Sequence, residues 1–132
     1  VAAMEDIGDF EWGCFVTEIS GADGQAIGTG YQNTLDIVSG CSQTPIAASE
    51  ALAYESGGYD DWCLPSKDEL LEMYNTIGNG GSDGNIGGFE NIQYWSSSED
   101  DSAGSWRIDF SSGEMSPRHK PNTYRVRVIR SF

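Results

Sequence analysis

The last forty or so residues constrain the fold more than any other part of the chain. In Trp106-Arg107-Ile108-Asp109-Phe110 apolar and polar residues alternate, so a strand here points Trp106, Ile108 and Phe110 to one side and Arg107 and Asp109 to the other. Tyr94-Trp-Ser-Ser-Ser-Glu99 before it and Tyr124-Arg-Val-Arg-Val-Ile-Arg-Ser-Phe132 after it are further aromatic-anchored strand patterns. Runs of small polar residues separate the three. A rigid apolar face backing an outward polar face suits a display surface better than a catalytic cleft.

The first two thirds read differently. Phe10–Thr17 is rich in aromatics and predicts a strand with Gly13 at a bulge. Thr29-Gly-Tyr-Gln32 matches a capping box, and Tyr31, Leu35 and Val38 then share one face of a helix that ends at Gly40. Thr44-Pro45 opens a second helix running to about Ser56. Ser66-Lys-Asp-Glu69 is another capping box, and Leu70, Met73, Tyr74 and Ile77 follow as the apolar stripe of a third. Residues 78–88 hold six Gly in eleven and predict a loop; no Gly-Lys-Ser/Thr follows, and Asp83 would oppose a phosphate. Helices before a β-rich C-terminal half make the class α+β, and 132 residues suit one domain spanning 1–132.

Charge is strongly asymmetric. Residues 107–132 carry six of the seven Lys/Arg and two of the 21 Asp/Glu, a local +4, against −18 for residues 1–106. The expected arrangement is a solvated acidic surface with the C-terminal arginines paired to acids. Such a body repels phosphates, so no nucleic-acid partner is expected. No apolar run is long enough for membrane insertion, and the opening residues are too polar and too short of positive charge for a signal peptide. Three cysteines, Cys14, Cys41 and Cys63, allow one disulfide and a free thiol, or three thiols; Cys14–Cys41 is the pairing to consider. Cys63, in Trp62-Cys-Leu-Pro65, reads as a small buried hydrophobe. The spacings do not resemble a zinc site, and the only histidine is the distant His119.

Gly57-Gly-Tyr-Asp-Asp-Trp-Cys-Leu-Pro-Ser-Lys-Asp-Glu-Leu70, Tyr94-Trp-Ser-Ser-Ser-Glu99 and Tyr124-Arg-Val-Arg-Val-Ile-Arg130, taken in that order, resemble two groups of proteins. One is the C-terminal domain of bacterial collagen-like adhesins; the other is the variable proteins of diversity-generating retroelements. Both have the C-type lectin fold, in the branch shared with formylglycine-generating enzymes. The likeness covers roughly residues 10–132 and departs at Cys63, where the family more often has Tyr or Arg. It implies a C-type lectin-like fold of two or three helices and a mixed or antiparallel β-rich C-terminal half.

The retroelement resemblance also implies a site. Such systems randomise adenines, chiefly in Asn codons, so that Asn, Asp, Ser, Gly, His, Arg, Thr, Tyr, Pro and Ala are reachable but Lys, Glu, Gln, Met and Trp are not. Asp100, Asp101, Ser102, Gly104, Ser105, Arg107, Asp109, Ser111, Ser112, Ser116, Arg118, His119 and Asn122 all lie in the permitted set, as does Thr123. They alternate with scaffold-like Trp95, Glu99, Trp106, Phe110, Gly113, Lys120, Tyr124 and Arg125, while Glu114 and Met115 fall outside the set and would have to be fixed or encoded differently. The expectation is a non-catalytic module whose diversified polar surface recognises a protein or a cell-surface target. The alternative is an adhesin of fixed specificity, binding glycans, including sulfated ones, through Arg107, Arg118 and Lys120.

Catalysis is not expected. The related enzymes need a redox cysteine pair late in the chain, and no cysteine follows Cys63. The adjacent acids Asp60-Asp61 and Glu99-Asp100-Asp101 read as solvated loop carboxylates rather than a general acid/base pair. No cofactor or metal is expected. The usual calcium signatures of C-type lectins are missing, although Asp83, Asn85, Asp100 and Asp101 offer oxygens. A cell surface, secretion or a phage particle all suit such a role, and the adhesin relatives imply a trimer.

Overall fold

The computed structural model describes residues 1–130; Ser131 and Phe132, the end of the last strand pattern, lie outside the described residues. Three helices, α1 (Gly30–Gly40), α2 (Ala47–Ala53) and α3 (Lys67–Ile77), precede most of the sheet. Its strands are β1 (Gly8–Phe10), β2 (Gln93–Glu99), β3 (Gly104–Asp109), β4 (Glu114–His119) and β5 (Tyr124–Val126). They lie in the order β1-β5-β2-β3-β4, antiparallel except for the β2–β5 pair. The class is therefore α+β with a mixed sheet, as the sequence predicts.

Alternation along the strands sends neighbouring residues to two cores. Trp95, Val126 and Val128 join Trp12, Ile37 of α1 and Ala47 and Ala51 of α2 in one. Tyr94, Ile108, Phe110 and Ile129 join Leu70 and Met73 of α3 in the other. Trp106 lies on the α3 side as well, with Lys67 4.4 Å over its ring. The predicted facing of Trp106, Ile108 and Phe110 is thus what the structure shows, and so is the stripe of α3.

Four local expectations fail. The strand predicted over Phe10–Thr17 is confined to Gly8–Phe10, because the backbone turns left-handed at Gly13 (φ +100°), Cys14 (φ +50°) and Val16 (φ +62°). Cys14 there is disulfide-bonded to Cys41, just past α1. On α1 the buried face is Gly30, Asn33, Thr34 and Ile37, not Tyr31, Leu35 and Val38; Tyr31 and Val38 are exposed. The polar pair is buried because it is satisfied: Asn33 bonds Gly24 through its side-chain oxygen and nitrogen, and the Thr34 hydroxyl bonds both backbone atoms of Leu64. The Thr29–Gln32 box does not form either, since the Thr29 hydroxyl donates to Ala26 O. Finally, α2 starts at Ala47 rather than at Pro45, with Ser49 Oγ accepting from Ile46 N, and stops at Ala53.

The Ser66–Glu69 box does form, and it does more than cap α3. Glu69, 2% exposed, accepts from Ser66 N at 2.8 Å and, through its other oxygen, from Gly28 N at 2.8 Å. One carboxylate therefore joins the starts of α1 and α3. A β-carbon at Gly30 would run into Glu69 Oε1, Leu64 O and Ser66 N, so glycine is required by this close approach. The Gly-rich loop is tied down by Arg127, which donates to the carbonyls of Gly87 and Gly88 while stacking 4.2 Å from the Phe89 ring.

Candidate ligand-binding surface

The register of the β3–β4 hairpin decides which side chains can act together. Asp109 pairs with Glu114, Arg107 with Ser116 and Ser105 with Arg118, so these six share one face; Trp106, Ile108, Met115 and Pro117 share the other. At one end of the hairpin the Asp100–Ala103 loop meets His119 and the loop that carries Asn122. At the other end Ser111 and Ser112 form the turn, about 20 Å away along six strand residues. The predicted residues thus occupy two ends and one face of a single hairpin rather than one compact patch.

The end loops rest on a buried ion pair. Lys120, fully buried, puts Nζ 2.6 Å from Glu99 Oε2 (4% exposed), 2.9 Å from Thr17 O and 4.7 Å over the Trp12 ring. Both Glu99 oxygens also accept from Ile19 N at 3.0 Å. Two charges withdrawn from water hold only where such extra bonds satisfy them. Here they fasten the 17–19 segment, the end of β2 and the start of the last loop together. The serines of β2 extend the arrangement: Ser96 Oγ donates to Trp106 O, and Ser98 Oγ donates to Gly24 O and accepts from Lys67 N. At the far turn Gly113 (φ +81°) lies so close to Tyr74 that a side chain there would meet the ring.

Above this base the predicted residues differ in exposure. Asp100, Asp101, Ser111, Ser112, His119 and Asn122 are exposed; Ser102, Asp109, Ser116 and Arg118 are half-buried. Gly104, Ser105 and Arg107 are buried, which corrects the expectation of an outward guanidinium at position 107. Arg107 lies beside Trp95 and folds onto its own hairpin, donating to Glu114 O and pairing with Glu114 Oε1 at 3.1 Å. Glu114 also holds Arg118, at 3.8 Å, and Met115 packs against the second core. The two residues outside the permitted set therefore each have a structural task. Asp101 Oδ1 accepts from Ala103 N and Gly104 N, closing its loop. The hydroxyl and amide of Ser111, with Arg107 adding to them, hold the Asp109 carboxyl below the usual carboxylate range. Asp100, Asp101, Ala103, Gly104, Pro117, Arg118 and His119 line a shallow hollow of about 170 Å³.

Sequence reasoning missed two neighbours. Phe15 and Val16, assigned to a strand, lie outside one and are 44% and 67% exposed, and the Phe15 ring lies 5.8 Å from that of His119. Only Gly13 beside Cys14 hinted that the strand pattern would break there.

The family model described as the Lcl C-terminal domain matches residues 14–130, which span the hairpin, the buried ion pair and all three helices. The chain belongs to the Lcl C-terminal domain family. No curated protein matches it significantly.

In this Lcl C-terminal domain six of the seven cations are consumed internally. Arg107 and Arg118 pair with Glu114, Lys120 with Glu99, Arg125 with Asp6 and Asp9, Arg127 with Asp6 and Arg130 with Asp61. Lys67, over Trp106, is the exception among the described residues. Most of the 21 acids thus face water without a counter-charge. Among the described residues no three His, Cys, Asp or Glu side chains are grouped to hold a metal ion, and Asn85 spends its amide on both backbone atoms of Phe89. Nor is any helix long and apolar enough to cross a membrane. Cys63 is free, 4% exposed and paired through its backbone with Ile129; burial, with Glu69 and Asp61 nearby, pushes its thiol up to about 12. Asp61, of the Asp60-Asp61 pair, is committed to Arg130 at 2.6 and 3.1 Å.

Proposed function

We propose that the domain is a non-catalytic binding module that displays a diversified polar surface on the β3–β4 hairpin and its end loops, directed at a protein or cell-surface target. The observation that carries this reading is the division of labour along the hairpin. Trp95, Phe110, Glu99 and Lys120 are buried and fix the backbone, whereas Asp100, Asp101, Ser111, Ser112, His119 and Asn122 stand in water. Side chains of the second kind change at little cost to stability, within about 0.5 kcal/mol.

Sequencing this gene across related isolates is the test. Replacements should concentrate at these positions and spare Glu99, Trp106, Glu114, Met115 and Lys120, with a reverse transcriptase and a near-copy of the 3′ end beside the gene. Uniform hairpin residues with scattered changes elsewhere would defeat it.

The alternative, a fixed adhesin for sulfated glycans, needs an exposed cationic patch. Of its three proposed contacts Arg107 and Lys120 are buried and ion-paired, which leaves Arg118, itself held by Glu114. A glycan array with salt-sensitive binding to sulfated sugars would restore that reading. Catalysis finds no support in Cys63, whose raised pKa keeps it a thiol at neutral pH.

A further inference from the structure

Beside the polar surface the chain holds two large apolar side chains in water at a cost in backbone strain. Val16 is left-handed at φ +62°, and a β-branched residue rarely adopts that conformation unless its surroundings impose it. Here they do, from both sides. Cys14, itself left-handed, is bonded to Cys41, and its amide donates to Gln43 Oε1 at 2.9 Å. Thr17 N closes a turn onto Cys14 O, and Thr17 O receives the Lys120 ammonium. A clamp of this kind is not needed to bury anything, since Phe15 and Val16 remain 44% and 67% exposed. What it does is present the Phe15 ring, with Val16 adjoining it in the chain, next to His119, which lines the hollow shared with Asp100 and Asp101.

We propose that Phe15 and Val16 are the fixed apolar anchor of the recognition surface, and that their partner is a folded protein with an apolar socket rimmed by Lys or Arg. Protein interfaces concentrate their energy in a few large side chains surrounded by polar contacts, and a rigid anchor loses little entropy on binding. Charge complementarity sets the partner's rim. The exposed charges around the anchor are Glu18, Asp100 and Asp101, while the nearby Lys120 is buried in its ion pair and Arg118 is held by Glu114. The inference deepens the binding-module reading and rests on it. It divides the surface into a constant apolar contact that supplies affinity and a replaceable polar contact that supplies choice of target.

The test uses the full chain as target and a synthetic single-domain antibody library as the protein probe. The expected result is that most selected clones weaken about tenfold or more on Phe15→Ser or Val16→Ser, lose affinity with added salt, and ignore Tyr59→Ser and Ile86→Ser, which alter exposed apolar residues elsewhere. Val16→Gly separates recognition from folding: it should hold or raise Tm, by relieving the left-handed strain, and still weaken binding. Clones lost on Asp101→Ala and His119→Ala but unchanged by Phe15→Ser would overturn the anchor while leaving the polar surface standing. Clones that ignore all four positions would overturn both. A glycan array on which binding disappears with Phe15→Ser would overturn the assignment to a protein partner.

Discussion

Lys120 and His119 are neighbours in sequence and opposites in consequence. Replacing Lys120 with Met leaves Glu99 buried and unpaired, and should cost about 3–5 kcal/mol in a denaturant titration. His119→Ala, one residue earlier and exposed, should stay within about 0.5 kcal/mol in the same assay. Ser105→Ala removes a buried hydroxyl that bonds nothing among the described residues and should be neutral or mildly stabilising. Asp109 adds a pH signature. Its carboxyl is held below the usual range by Ser111, so it stabilises the fold above the unfolded carboxylate pKa, and that contribution disappears as pH falls through its lower folded value. The stability gap between wild type and Asp109→Asn should therefore be full at pH 7 and shrink below about pH 4. The alternation of β3 showed which way these residues point, but not which are covered. Arg107 was read as outward because nothing in a two-residue period reveals that Glu114 of the next strand folds over it.

The elements were legible where local chemistry and packing agree. α3 was readable because Ser66 and Glu69 cap it and its apolar stripe meets the sheet. The extent of α1 was readable too, since it runs over Gly30–Gly40, but its buried face was not, because Asn33 and Thr34 point inward beside Ile37 while Tyr31 and Val38 face out; the partners that make the polar pair suitable for burial, Gly24 and Leu64, lie outside the helix. The strand at residues 10–17 failed for a related reason, as a disulfide to Cys41 overrides β-propensity. That bridge closes a 27-residue separation, so Cys14→Ser should cost about 3 kcal/mol, seen as a fall in Tm that reducing agent reproduces in the wild type. Gly30→Ala should destabilise the junction of α1 and α3 by about 1–3 kcal/mol, since the new methyl meets Glu69 and two backbone atoms. Partial rescue of Gly30→Ala by shortening Glu69 would identify the clash as the cause.

Taken together, the acidic exterior, the internally paired cations and the clamped hairpin describe a protein whose shape is insulated from the polar residues it presents. Its overall class followed from the order of helical and alternating segments, and its candidate residues from a likeness to known proteins rather than from periodicity. Their arrangement over two ends and one face was invisible in sequence, because hairpin register and the reach of Lys120 across to Thr17 are long-range properties. Protease resistance of a displayed library measures the insulation itself. Residues Asp100, Asp101, Ser102, Ser111, Ser112, Ser116, Arg118, His119 and Asn122 are randomised together, beside a control library at Trp95, Glu99, Phe110 and Lys120. The account predicts that most members of the first library resist cleavage like the parent and that few of the second do. Comparable losses in both would contradict it.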